Sequence, residues 1–239
     1  SQADYFQTVK GGGHGDYRLI ALAPASVQEM ADFVGLAFDL AFKYRNPAII
    51  LADGVIGQMM EKVVLPEYKP RRTDEEIEKE CPWAAVGKPK NRKPNIITSL
   101  ELQPDTMEQN NLRFQAKYRA IEENEVRYEE IMCEDAEYLL VAFGSSARIC
   151  QKACQIARES GIKLGLLRPI TLWPFPTKVI AEYANKVKAM LTVELNAGQM
   201  VEDVRLAVNG KVPVEHYGRL GGIVYTPDEI VEAVKNKLM

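Results

Sequence analysis

The stretch YLLVAFGSSARICQKACQIARESGIKLGLL, residues 138–167, decides the fold. It opens on an apolar run at 138–143, passes through Gly144-Ser145-Ser146, carries a helical pattern over about 147–159 and returns to an apolar run at 162–167. Unbroken apolar runs of this length suit strands covered on both faces. Strand, helix and strand in that order make a right-handed crossover between parallel neighbours. The alternation continues with strands over 189–195 and 212–217 and helices over about 177–185, 198–208 and 227–238, the pattern of a parallel sheet with helices on its faces. Pro213 removes a ladder donor from the last strand, which places that strand at a sheet edge.

Toward the N-terminus, residues 18–23 and 48–52 form a second pair of short apolar runs. Between them, Ser26-Val27-Gln28-Glu29 is a capping-box pattern that opens a helix with Met30, Phe33, Val34, Ala37, Leu40 and Ala41 on one stripe. Asn46-Pro47 ends it. Residues 61–104 are different material, with Pro66, Pro70, Pro82, Pro89, Pro94 and Pro104 around a charged block at 71–80. They read as a long irregular connection, uncommon unless it crosses between domains or lies on a partner. Residues 105–132 regain a helical period through Met107, Phe114, Tyr118, Ile121, Tyr128 and Met132, with Asp105 and Glu108 as a cap pair.

With 239 residues the chain can bury one large core or two small ones. Its 46% hydrophobic and 26% charged residues are those of an ordinary globular protein. A net charge of -3 gives no general attraction to nucleic acid or to a membrane surface. No apolar run is long enough to cross a bilayer and no signal-peptide pattern opens the chain, so a cytoplasmic protein is expected. Cys81, Cys133, Cys150 and Cys154 form no CxxC pair, and Cys150 and Cys154 share a helix stripe as core residues do.

Several groups could carry chemistry. Gly11-Gly12-Gly13-His14-Gly15-Asp16 is a glycine-rich loop with one titratable pair, His14 and Asp16, but it precedes a strand and lacks the Walker lysine. Asp53-Gly54 follows a strand and reads as a turn. Gly144, Ser145 and Ser146 join a strand to a helix, where backbone amides hold an anion or a serine simply caps the helix. Arg168-Pro169-Ile170-Thr171-Leu172-Trp173-Pro174-Phe175-Pro176 is a stiff proline-aromatic loop. Glu194, Asn196 and Gln199 at the next strand exit belong beside it, and Arg168, Trp173 and Phe175 with these three read as a rigid docking edge. With only His14 and His216 in the chain, no nucleophile-base arrangement is evident and no metal site is expected.

Taken together, GGGHGDYRLIALAPASVQEM at 11–30, ILADG at 50–54, VAFGSSAR at 141–148, GLLRPITLWPFP at 165–176, VELNAGQ at 193–199 and GRLGG at 218–222 resemble the α subunit of the 2-oxoacid:ferredoxin oxidoreductases. Ser1-Gln2-Ala3-Asp4 adds to the likeness, which is greatest for the branched-chain (2-ketoisovalerate) type and weakest over 61–130. The resemblance implies an α/β fold in which residues 1–60 are the C-terminal part of a pyrimidine-binding-type thiamine-diphosphate domain. Residues 61–130 would be an extended linker and bridging helix, and residues 131–239 a transketolase C-terminal-like domain with a parallel sheet.

By the same resemblance the complete complex oxidatively decarboxylates a 2-oxoacid, forms acyl-CoA from coenzyme A and reduces ferredoxin, using thiamine diphosphate, Mg and iron-sulfur clusters. The carbanion chemistry would be the cofactor's. The family's substrate-contacting Tyr-Pro-Ile-Thr-Pro segment, its aminopyrimidine-activating glutamate and a Thr-Arg pair are expected ahead of Ser1. Its Gly-Asp-Gly motif and cluster cysteines are expected in other subunits. A truncated α subunit follows, one that supplies scaffold and docking surface in an oligomer with β and other subunits and is inactive alone. His14 and Asp16 would lie toward the active-site end. Rival expectations are a 2-oxoglutarate- or pyruvate-type member, a docking domain binding an anion or nucleotide without catalysis, and a remote transketolase or 1-deoxyxylulose-phosphate synthase relative. The last calls for a phosphate-binding basic cluster, which no motif here displays.

Overall fold

The computed structural model describes residues 1–68, 70–84 and 93–239. In chain order the elements are α1 (Tyr5–Val9), β1 (Ile20–Leu22), α2 (Val27–Tyr44), β2 (Ala48–Ile50), α3 (Gly54–Gln58), α4 (Asp74–Glu80) and α5 (Pro104–Asn124). Then come β3 (Tyr128–Ile131), β4 (Tyr138–Val141), α6 (Gly144–Glu159), β5 (Leu164–Pro169), β6 (Thr171–Trp173), α7 (Thr177–Tyr183), β7 (Ala189–Glu194), α8 (Met200–Val208), β8 (Val214–Gly218) and α9 (Pro227–Leu238).

The strands form two sheets, one ordered β2-β1-β6 and one ordered β3-β5-β4-β7-β8. In the larger sheet β5, β4, β7 and β8 run parallel, as the alternating pattern requires, and β8 lies at the edge just after Pro213. Successive residues of β4 point to opposite faces. Leu139 and Val141 therefore pack with Val179, Ile180 and Val204 on the α7–α8 side, while Leu140 packs with Cys150, Ala153 and Ile230 on the α6–α9 side.

Two antiparallel strands correct the expectation of purely parallel sheets. β3 pairs antiparallel with β5, so Tyr128 belongs to a strand and Met132 follows it, and the bridging helix ends at Asn124. That helix starts at Pro104 after Gln103 with no side-chain cap, so Asp105 and Glu108 are not a cap pair. β6, inside the proline-aromatic loop, pairs antiparallel with β1 and carries the larger C-terminal region into the smaller sheet. The irregular connection is corrected at the block 71–80, which contains α4, capped reciprocally by Thr73 and Glu76. Lys69 and residues 85–92, with Pro89, lie outside the described residues.

The helix opened at Ser26 forms as its pattern requires: Ser26 Oγ accepts from the Glu29 amide at 3.1 Å. Glu29 does not close the box on Ser26. Its carboxylate instead accepts the Ala25 amide at 2.7 Å and takes both oxygens to Arg168 Nη2, at 2.7 and 2.6 Å. The apolar stripe is only partly used, since Phe33 and Leu40 are buried whereas Val34 is exposed.

Candidate functional site

In the larger sheet β4 is followed by α6 and then β5 on one side, whereas β7 joins on the other side of β4. The chain direction thus switches at β4, and the crevice outside the strand ends there is where open α/β sheets take ligands. Here the crevice is filled by the chain itself. Gln2 enters it with its side chain fully engaged: Nε2 donates to Phe143 O at 2.9 Å and to Asp53 Oδ2 at 3.1 Å, and Oε1 accepts from Ser146 Oγ at 2.9 Å and Leu195 N at 3.1 Å. Gln2 N also donates to Leu195 O at 3.0 Å.

Asp53 arrives from the exit of β2. Its Oδ1 caps α3 through the Ile56 amide at 3.1 Å, and Oδ2 accepts both the amide and the hydroxyl of Ser145 at 2.8 Å. A carboxylate at the N-terminus of α6 satisfies free amides and the positive end of the helix dipole. Gly144 permits the approach: at φ +58 it has no Cβ, and one placed there would lie 2.6 Å from Asp53 Oδ2 and 2.9 Å from Gln2 Nε2. The plain turn read at Asp53-Gly54 is therefore corrected to a helix cap and inter-sheet tie. The anion site read at Gly144, Ser145 and Ser146 is corrected as well, because its anion is the chain's own Asp53.

Glu194, at the exit of β7, does for α8 what Asp53 does for α6. Its carboxylate accepts the amides of Met200 at 2.7 Å, Val201 at 3.0 Å and Gln199 at 3.2 Å, and Asn196 Nδ2 at 3.1 Å. Burial would raise its pKa, but hydrogen bonds from His216, the Met200 amide and Asn196 outweigh that and hold it below the usual carboxylate value. Asn196 Nδ2 also reaches Gln2 O, and Gln199 clamps α1 by accepting from Phe6 N and donating to Ala3 O. Tyr225 closes the other flank, donating its hydroxyl to Ser146 Oγ.

The remaining candidates fall elsewhere. Arg168 joins β5 to Glu29 of α2 and Glu129 of β3, and Trp173 meets Tyr118 edge-on with ring centroids 5.8 Å apart. Arg168, Trp173, Glu194 and Asn196 are buried within the chain, which corrects their reading as a docking edge; Phe175 and Gln199 are half-buried. A cavity of about 800 Å³ opens beside Trp173 and Phe175, with Lys10, Arg18 and Lys178 among its walls. His14 and Asp16 stay exposed in the loop before β1, outside the knot.

The arrangement can hold strand exits together, and it contains no free nucleophile with a base. Burial pushes the thiols of Cys150 and Cys154 up, the second to about 12. Among the described residues no group of three or more His, Cys, Asp and Glu could hold a metal ion, and no helix is long and apolar enough to cross a membrane. The knot does not fit thiamine diphosphate either: the amide and hydroxyl of Ser145 at the start of α6 are taken by Asp53, whose carboxylate would repel a phosphate there, and both acids are engaged as caps. Gln2 and Tyr225 escaped the sequence reading because no local pattern announces partners so distant in the chain.

Fold and knot together define a class, an α/β subunit with two linked sheets whose own residues fill its switch-point crevice. Residues 1–132 match the family profile "pyruvate flavodoxin/ferredoxin oxidoreductase, thiamine diP-bdg" and residues 136–230 match "pyruvate:ferredoxin oxidoreductase core domain II". A ketoisovalerate oxidoreductase subunit (VorB) of Methanothermobacter marburgensis is 50% identical across 98% of the chain, which spans 64% of that relative's length. A 2-oxoglutarate synthase subunit (KorA) of Methanocaldococcus jannaschii is 34% identical across 98% of the chain and 68% of its own length. Among solved structures, a 2-oxoglutarate:ferredoxin oxidoreductase from Magnetococcus marinus superposes with a TM-score of 0.76 at 22% identity, covering all of this chain and 45% of that one, a likeness of fold. The chain belongs to the 2-oxoacid:ferredoxin oxidoreductase family.

Proposed function

We propose that this chain is part of the α subunit of a 2-oxoacid:ferredoxin oxidoreductase acting on a branched-chain 2-oxoacid such as 2-ketoisovalerate, in the cytoplasm. The complete assembly would convert the 2-oxoacid and coenzyme A to acyl-CoA and pass electrons to ferredoxin. Thiamine diphosphate, Mg and iron-sulfur clusters would be held with its other subunits. The division at residues 1–60, 61–130 and 131–239 belongs to the same proposal, the first and last parts being the pyrimidine-type and transketolase C-terminal-like units.

The observation that carries the scaffold role is the closed knot at Gln2, Asp53, Ser145 and Glu194, which ties four strand and helix ends together and offers a substrate no reactive group. The branched-chain preference is supported by 50% identity to the ketoisovalerate relative against 34% or less to the 2-oxoglutarate relatives. Partner docking is supported by the outer strap, the described residues 59–68, 70–84 and 93–103, where Met60, Leu65, Tyr68, Ile96 and Leu102 are exposed. Exposed apolar side chains in such number mark a surface that another chain covers. We assign this surface to the β subunit.

The test is to purify the assembled complex and measure coenzyme-A-dependent reduction of ferredoxin with 2-ketoisovalerate, 2-oxoglutarate and pyruvate. The reading expects the highest kcat/KM with 2-ketoisovalerate and no turnover by the isolated chain. A preference for 2-oxoglutarate would overturn the substrate assignment, and turnover by the chain alone would overturn the scaffold role.

A further inference from the structure

We propose that the groove along the open face of α5 is a docking channel for a short segment of a partner subunit, rich in lysine or arginine and carrying an apolar anchor. The proposal rests on the reading of this chain as one subunit of an assembly and makes no use of the strap.

The shape of the groove comes first. The cavity of about 800 Å³ beside Trp173 adjoins a second of about 300 Å³ beside Asp16, with Arg18 a wall of both. From α5, Glu108, Leu112, Gln115 and Glu122 wall the pair, at spacings of four, three and seven that fall on one helix face. From Glu108 to Glu122 that wall is about 21 Å long, the reach of about six residues of extended chain. At the deep end Val9, Trp173, Pro176 and Val179 form a buried apolar floor, and Leu206 stands 74% exposed on the rim.

Packing and charge then narrow the occupant. Of the 21 residues of α5 only Tyr118 and Ile121 are buried. A helix in a folded protein draws most of its stability from tertiary packing of one face, and here much of that packing is left for another surface to supply. Six acids and three bases line the two cavities, a net of -3 that equals the net charge of the whole chain. Lys10 pairs with Asp203, which also accepts the Tyr5 hydroxyl at 2.6 Å, so that couple is satisfied internally. Asp16, Glu108, Glu122, Glu123 and Glu182 remain exposed around the groove, against Arg18 and Lys178.

Carboxylates so placed repel an anionic ligand and attract a basic one. Acids on a helix are usually a solvated face; these ring an apolar floor, the arrangement of an interface with a polar rim and a pocket for a buried anchor. A small cation would use one end of such a groove, whereas an extended segment uses its whole length. The groove was illegible as a motif because its walls come from α1, the loop before β1, α5, β3, α7 and α8.

The experiment is carbodiimide cross-linking of the purified complex, which joins a carboxylate directly to an amine in contact with it, read by peptide mass spectrometry. Glu122, Glu123 or Glu182 is expected to be joined to a lysine of another subunit, in a stretch where bases outnumber acids. Leu206→Arg puts a like charge in the path of that segment, adds no amine and suits the C-terminal turn of α8. It is expected to lower the yield of the link at least about tenfold, while the chain melts within about 2 °C of wild type. A complex that keeps its other subunits but gives no such link would overturn the groove and leave the assembly reading intact. A link confined to this chain or to a second copy of it, a link into an acidic stretch, or a yield unchanged in Leu206→Arg would also overturn it.

Discussion

The inner knot and the outer strap treat their side chains in opposite ways. At the knot Gln2 is 4% exposed and each polar atom of its side chain has a partner inside the chain; on the strap Met60 is 98% exposed. A buried amide left unpaired costs about 1–3 kcal/mol, so the knot is stable only when complete. Exposed apolar groups cost little in the lone chain and gain only when another surface covers them. The difference teaches that one region is closed within the chain and the other leaves apolar surface uncovered, and that the two can be broken separately.

The sharpest break inside is Trp173→Ala. Its indole is buried against Tyr118, and such truncations cost about 3–5 kcal/mol. Calorimetry should show a lowered melting temperature in the isolated chain itself, before any effect on assembly is asked. Asp53→Ala should follow at about 3 kcal/mol, because it strands the Ser145 amide, the Ser145 hydroxyl, the Ile56 amide and one of the two N–H groups of Gln2 Nε2 without their acceptor. Denaturant unfolding with an unchanged m-value would check that the loss is one of stability.

A third effect is set by pH. Because the folded Glu194 carboxyl sits below its ordinary value, the unfolded state binds the proton more readily, and stability is present above the ordinary Glu pKa of about 4.3. It is lost as pH falls through the depressed folded value. Glu194→Gln should therefore flatten the acid limb of the stability curve while lowering stability at neutral pH. The smallest effect belongs to the strap: Met60→Ser with Leu65→Ser should move the chain's own stability by no more than about 0.5 kcal/mol.

Much of this contrast was legible in the sequence, and for a physical reason. Three of the four parallel strands of the larger sheet, β4, β5 and β7, are largely buried and mostly apolar, so YLLV at 138–141 and AMLTVE at 189–194 announce themselves, whereas β8 at the edge is half-buried. β3, with the sequence YEEI, and β6, with TLW, do not, since one is half polar and the other three residues long. Their pairing depends on Arg168 and Trp173 being drawn inward by Glu29, Glu129 and Tyr118, contacts no local window contains. Proline stiffness and aromatic character suggested a surface edge at that loop; burial turned the same residues into core. At the knot the residue types were visible and their partners were not. The sequence showed amides ready for an anion at 144–146, but the identity of that anion, Asp53, is a property of the fold.

The most direct test of the division between knot and strap is one co-elution experiment on the Met60→Ser, Leu65→Ser variant, expressed with its partner subunits and compared with wild type by gel filtration. The account predicts a chain that melts within about 2 °C of wild type yet no longer co-elutes with the β subunit. A variant that assembles in full would contradict it.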